Sequence, residues 1–167
     1  MNSKIFSKKL SGSNKIALIV FVPIFILLGI LAVQTRYKFV FQTDHSVNFS
    51  CGYLDRQDTV PTKGQYVAFV FKALQNNKYG MRFVKKVACV SGERLSRSGR
   101  DFYCNGGFLG RAKQWDKHGN PAGLFGYQGV IPEGKYFAMG EHKDSYDSRY
   151  WGFVDNSWII GKVNVIL

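Results

Sequence analysis

The sequence predicts an all-β domain, mainly antiparallel, carried on one N-terminal transmembrane helix. Three observations predict it. Residues 16–33 hold no charged side chain and are almost wholly apolar; as a helix that stretch rises about 27 Å, close to the thickness of a bilayer core. From Ser50 onward, short apolar and aromatic runs are punctuated by glycine turns, the pattern of strands. Helix signals after the anchor are scarce, with Ala73 to Asn77 as one candidate turn.

Residues 1–15 form a polar, basic tail, with Met1 to Asn14 too poor in apolar residues to build a core. Residues 16–33 are the anchor, in which Pro23 and Gly29 are tolerable because a membrane helix can re-satisfy the freed backbone groups. Ala32 offers a weak signal-peptide cleavage site as the alternative. Lys4, Lys8, Lys9 and Lys15 precede the helix without an acidic residue, whereas Arg36 and Lys38 follow it with Asp44 close behind. That bias places the N-terminus in the cytoplasm and residues 34–167 outside, as in a single-pass membrane protein.

Along the body, Tyr37 to Phe41 reads as interfacial or as a first strand. Tyr66 to Lys72 is a buried strand introduced by Lys63-Gly64, and Arg82 to Val90 is a second that ends at Ser91-Gly92. Phe102 to Leu109 is interrupted by Asn105-Gly106, a strong hairpin signal. Arg111 to Gln128 is glycine-rich and polar, a long surface insertion. Pro132-Glu133-Gly134 turns into Lys135 to Met139, and Trp158 to Ile166 is the last strand.

Net charge is +12, and +8 remains on the body beyond the anchor. Such a balance fits nucleic acid or an anionic membrane surface. The orientation sets the body across the membrane from the chromosome, so the expected partner is the lipid bilayer and not nucleic acid. Three cysteines are too few for a disulfide scaffold, and His45, His118 and His142 are scattered, so no metal or other cofactor is called for.

The densest polar stretch is Ser145-Tyr-Asp-Ser-Arg-Tyr-Trp-Gly-Phe-Val154, which suits a hydrogen-bonded loop bracing a site. It resembles the C-terminal signature of type I signal peptidases, the peptidase S26 family. Three segments carry the resemblance at the expected order and spacing: Gly64-Gln-Tyr-Val-Ala-Phe-Val, Phe83-Val-Lys-Lys-Val-Ala-Cys-Val-Ser-Gly-Glu93, and Ile131-Pro-Glu-Gly-Lys-Tyr-Phe-Ala-Met-Gly-Glu141 with that signature after it. The resemblance implies a serine endopeptidase with a Ser/Lys dyad. An ordinary lysine, with a pKa near 10.4, is protonated at neutral pH and cannot take a proton. Apolar walls disfavour its ammonium form, and a neutral lysine can then activate a serine without histidine or aspartate.

Lys85 and Lys86 are adjacent, so on a strand they face opposite ways. Counting back from Gly92 as in the family selects Lys85 as base, sharing a face with Phe83 and Val87, and leaves Lys86 to solvent. The nucleophile falls in Asn48-Phe-Ser-Cys-Gly-Tyr-Leu54. Ser50 is the first candidate, Ser46 the runner-up and Cys51 a remote third. The proline that the family places after its serine is missing from Ser50. By resemblance the Ser50 N–H and the Asn48 amide would hold an oxyanion, Ser145 would support the lysine, and Asp147 and Arg149 would brace the loop as an ion pair. Tyr150, Trp151 and Phe153 read as core. Cys89 and Cys104, on successive β-segments in an oxidising compartment, are expected to pair and leave Cys51 free.

The segment from Asn105 to Asn120 resembles that of TraF-like conjugative transfer peptidases. The expected substrate is therefore a membrane-bound precursor, with pilin maturation in conjugation favoured. A minimal housekeeping signal peptidase acting on signal-peptide-bearing proteins is the alternative, as is an inactive pilus-assembly protein.

Overall fold

The structure, a computed structural model, describes residues 12–42, 46–72 and 80–167. The basic tail before Gly12, His45 and the candidate turn Ala73 to Asn77 lie outside the described residues. The chain divides into two units, Met1–Arg36 and Tyr37–Leu167. The first contains helix α1, Gly12–Arg36, with Pro23 inside it. Its stretch Leu18–Arg36 is long and apolar enough to cross a membrane. The large side chains described there, Leu18 to Val33, are exposed, as an apolar helix requires if lipid is to be its solvent.

The second unit is built on two antiparallel sheets. The larger has seven strands in the order β1-β2-β11-β3-β4-β9-β10. They are β1 Tyr37–Phe41, β2 Cys51–Asp55, β3 Tyr66–Val70, β4 Arg82–Cys89, β9 Lys135–Met139, β10 Val154–Asp155 and β11 Ile159–Val165. The smaller has four, in the order β7-β6-β5-β8: β5 Arg94–Ser98, β6 Asp101–Cys104, β7 Gly107–Arg111 and β8 Gly129–Val130. A short helix, α2 Ser148–Trp151, and one 3-10 turn, Asn156–Trp158, interrupt the return to β11.

Strand alternation sorts the core. Val67, Phe69 and Val87 pack with Phe71, Tyr136 and Val154, and Phe83 and Trp151 lie against them. On the other face Ala68 and Val163 pack with Val47, Phe49 and Leu54, with Tyr66 and Val84 alongside. A third cluster, with Leu95, Phe102 and Phe137 at its centre, joins the small sheet to β9. Phe83 alternating with Val84 on β4 is the period of two that places successive residues on opposite faces.

The Asn105-Gly106 signal marks the β6–β7 hairpin. Both residues have positive φ, 48° and 81°, as the two central positions of a type I′ turn demand. Between Ala112 and Gln128 only an isolated bridge, Trp115 to Pro121, forms among the described residues. That insertion is not wholly surface, because Leu124, Phe125 and Tyr127 pack against the third cluster. Tyr150 and Phe153 join the same cluster. Cys89 and Cys104 form a disulfide with Cα atoms 5.8 Å apart, and Cys51 is free. The bond ties β4 of the large sheet to β6 of the small one.

Candidate active site

Lys85 sits in the middle of β4, opposite Val67 of β3. Both neighbouring strands are apolar there, and the lysine side chain is buried, at 3% exposure. Its Nζ lies 5.8 Å from the centre of the Phe83 ring and donates to Ser145 Oγ at 2.9 Å. The β4–β9 register pairs Lys86 with Met139, so one step further Gly140 comes opposite Lys85.

Gly140 has no room for a side chain. A Cβ built there would stand 2.0 Å from Ser145 Oγ and 2.7 Å from the carbonyl oxygen of Ser46. Ser46 and Ser145 are thus packed against one glycine, and that glycine is Lys85's neighbour. The Ser46 carbonyl accepts from the N–H groups of Glu141, at 2.7 Å, and His142, at 3.4 Å.

Asp147 and Arg149 brace this loop as expected of an ion pair, and they do more than pair. Arg149 Nε and Nη2 donate to the two Asp147 oxygens at 2.8 and 2.7 Å. Asp147 also accepts from the Gly140 N–H at 2.9 Å and, from its position at the N-cap of α2, from the Arg149 N–H at 3.2 Å. Arg149 reaches the Arg111 carbonyl at 2.9 Å. Exposures of 0% and 4% make the pair almost dry. Burial by itself would lower Arg149; the hydrogen bond and charge of Asp147 outweigh it and hold the guanidinium above its ordinary pKa. Ser148 adds a link the sequence reading passed over, accepting from the Ala138 N–H of β9 at 2.9 Å.

Ser50 is placed elsewhere. The register runs from Lys85 through Val67 and Lys162 to Asp55. Ser50 therefore stands three strands across the sheet and five residues along β2 from the lysine's row. Its side chain is exposed. Its N–H, expected at an oxyanion, instead donates to the Leu167 carbonyl at 2.8 Å, and its carbonyl accepts from Gln42. The intervening Val47 and Phe49 are buried on the face of Ala68 and Val84, so the chain passes over the sheet between the two serines. Asn48 is exposed, and its backbone N–H donates to Glu141 Oε2 at 2.8 Å.

Lys86 keeps 41% of its side chain exposed and is paired as well. It donates to Glu141 Oε1 at 2.8 Å, and the Tyr66 hydroxyl donates to Oε2 at 2.6 Å. Burial raises the Glu141 carboxyl, but hydrogen bonds from Lys86, Tyr66 and Asn48 outweigh it and hold the group below its ordinary pKa. Burial, then Glu141, push the Tyr66 hydroxyl upward. The sequence reading missed Glu141; its adjacency to Gly140, just before the dense polar stretch, was the available signal.

A cleft of about 900 Å³ opens beside these residues, with Lys86, Gly140, Glu141, Phe108, Lys113 and Trp115 among its walls. Among the described residues, Cys89, Glu93 and Cys104 have donor atoms within 4.8 Å of one another. Both sulfurs are bonded to each other, so they offer no thiolate to a metal.

The chain is similar to proteins already known. Signal peptidase I of Haemophilus influenzae is 55% identical over 38 residues, 22% of this chain and 11% of that protein. The probable signal peptidase I-2 of Synechocystis is 30% identical over 110 residues, 63% of this chain and 47% of the relative. Signal peptidase IB of Staphylococcus aureus is 31% identical over 122 residues, 61% of this chain and 58% of the relative. The chain thus spans between about a tenth and under three fifths of these relatives' lengths. A solved signal peptidase I structure from Enterococcus faecalis V583 aligns with a TM-score of 0.43 at 24% identity, over 63% of this chain and 97% of that one. The family described as signal peptidase, peptidase S26, matches residues 15–167, and the chain belongs to that family.

Proposed function

We propose that this chain is a membrane-anchored serine endopeptidase that cleaves exported precursor proteins, with Ser46 as nucleophile and Lys85 as general base. One observation carries the reading: Lys85 is buried, donates to Ser145, and lies opposite a glycine against which Ser46 is packed. Ser46, the runner-up on sequence, takes the place of Ser50 in this reading, because Ser50 is engaged at the far edge of β2.

The chemistry follows from the positions. Desolvation disfavours an ammonium, and in this reading the buried Lys85 acts as the neutral amine. That amine takes the Ser46 hydroxyl proton as Oγ attacks the carbonyl carbon of the scissile peptide. The tetrahedral intermediate collapses as Lys85 returns the proton to the leaving amine nitrogen. An acyl ester on Ser46 remains; water attacks it as Lys85 takes a proton from the water, and Lys85 returns that proton to Ser46 Oγ as the ester bond breaks and the carboxyl product leaves. Ser145 orients the lysine, and Asp147 with Arg149 holds the loop that carries both Ser145 and Gly140. The α1 anchor, with its N-terminus cytoplasmic and the body periplasmic, would keep the site beside membrane-bound substrates.

Signal-peptide-bearing precursors are the substrate class favoured by the relatives, each named a signal peptidase. Maturation of a pilin in conjugation is the narrower reading and rests on the Asn105 to Asn120 resemblance alone. The test is processing of a signal-peptide-bearing precursor, and separately of a pilin precursor, by wild type, Ser46→Ala, Ser50→Ala and Lys85→Met. Ser46→Ala and Lys85→Met should abolish conversion and labelling by a serine-acylating probe, while Ser50→Ala retains both. Loss on Ser50→Ala with retention on Ser46→Ala restores Ser50 as nucleophile. A wild-type protein that takes up no probe is an inactive scaffold.

A further inference from the structure

We propose that Glu141 is a positioning residue for the nucleophile. It grips the segment 46–48 from both ends, the backbone N–H donating to the Ser46 carbonyl at 2.7 Å and the carboxylate accepting from the Asn48 N–H at 2.8 Å. The inference rests on the reading in which Ser46 attacks and Lys85 takes its proton.

Two anchors make Glu141 a rigid post. Tyr66 and Lys86 face each other across the β3–β4 ladder. The tyrosine hydroxyl donates to Oε2 at 2.6 Å and the lysine ammonium to Oε1 at 2.8 Å. The Lys86 ammonium also lies 5.5 Å from the centre of the Tyr66 ring. The carboxylate is therefore bonded to the sheet on one side and to the serine's own segment on the other. Lys85, the next residue on β4, points through the opposite face. One strand thus holds the base directly and the nucleophile through Glu141, so their separation is set by the sheet. Buried Val47 and Phe49 fix the segment against sliding, but apolar contacts are non-directional. The two hydrogen bonds fix its orientation.

The donor pattern gives a specific test. Asn48 and Tyr66 share Oε2, whereas Lys86 uses Oε1. Glutamine at 141 can keep the shared oxygen but turns its NH₂ toward the Lys86 ammonium, donor against donor. Glu141→Gln combined with Lys86→Met removes that conflict and keeps both bonds that matter. The assay is steady-state cleavage of a signal-peptide-bearing precursor by the full chain in detergent, with thermal melts alongside. Glu141→Ala should lose kcat by about 100-fold, the scale of a misplacement near 1 Å, with KM within about threefold. The Glu141→Gln/Lys86→Met double variant should recover to within about threefold of Lys86→Met alone. Wild-type kcat in Glu141→Ala, a loss confined to KM, or no recovery in the double variant overturns the inference. Retained cleavage by Ser46→Ala instead overturns the reading beneath it. Should Glu141→Ala fail to fold, the double variant decides by itself.

Discussion

Gly140→Ala is the sharpest single perturbation of this site, because it adds one carbon at the point where three functional elements meet. The added Cβ would stand 2.0 Å from Ser145 Oγ, 2.4 Å from Ser145 Cβ and 2.7 Å from the Ser46 carbonyl oxygen. Carbon atoms pack comfortably near 3.5–4.0 Å, so each neighbour must retreat by roughly an ångström or more. Two of the three atoms belong to a serine whose oxygen accepts the Lys85 hydrogen bond, and the third is backbone held by Glu141 and His142. None is the free end of a flexible chain. Overpacking of this kind costs about 1–3 kcal/mol in stability. Activity should suffer more, because displacement on that scale near reacting groups can cost about 100-fold. The assay is precursor cleavage beside thermal unfolding, with Gly126→Ala as control, since a Cβ there meets nothing within 4 Å. Wild-type cleavage by Gly140→Ala would refute the packing argument, and with it the claim that Ser46, Ser145 and Lys85 share one site.

Asp147→Asn leaves Arg149 buried without its charge partner and should destabilise the protein by about 3–5 kcal/mol; adding Arg149→Met should return part of that loss in denaturant titration, and simple additivity would argue against coupling. Replacing Cys89 and Cys104 by serine should cost about 3 kcal/mol, the scale for a cross-link closing a loop of this length, and an unchanged melting temperature on reduction would count against the bond. Asp155 is held down to about 2 by hydrogen bonds from the Lys135 ammonium and from Ser157. Its folded pKa lies below the ordinary 3.8, so it contributes stability above that pH and loses it as pH falls toward 2. Asp155→Asn should therefore fall short of wild type at neutral pH and converge on it in acid; a gap that is constant with pH would contradict this. Lys86→Met should reduce cleavage only modestly, since Tyr66 still holds Glu141, whereas Lys85→Met should abolish it, and equal losses would remove the basis for choosing between the two lysines.

Much of the fold is local and was therefore legible. Tyr66 to Lys72 announces itself as an apolar run and Arg82 to Val90 as a less clean alternation bounded by Ser91-Gly92, and they appear as β3 and β4, a residue or two shorter. Asn105-Gly106 forces its own turn through backbone sterics, independent of the rest of the molecule. What failed to announce itself depends on distant partners. β2, Cys-Gly-Tyr-Leu-Asp, is too short and mixed to read as a strand, and it exists because β1 and β11 flank it with complementary ladders. α2 has four residues and no helical period; Asp147 at its N-cap and Gly152 at its C-cap define it. β5, Arg-Leu-Ser-Arg-Ser, is polar at most positions and buries only Leu95 in the third cluster.

The site divides along the same line. Strand alternation, a property of one strand, says only that Lys85 and Lys86 face opposite ways; the resemblance, through the spacing to Gly92, selects Lys85. Asp147 and Arg149 are two residues apart, so their pairing is equally local. The serine was different: choosing between Ser46 and Ser50 requires knowing where the connection into β2 crosses the sheet. Three residues separate the two serines, and Val47 and Phe49 are the two that bury themselves in the crossing. Their alternation was visible, but it fits a strand beginning at Ser46 as well as a linker laid over β3. The proposed choice of Ser46 rests on the register of β9, which sets Gly140 opposite Lys85 and so gives Ser46 a place to pack. That register follows from long-range pairing, and Glu141 acquires its role from the same contact. A glutamate after a glycine is unremarkable in sequence; it becomes a post only once Tyr66, Lys86 and Asn48, drawn from three separate segments, converge on its two oxygens.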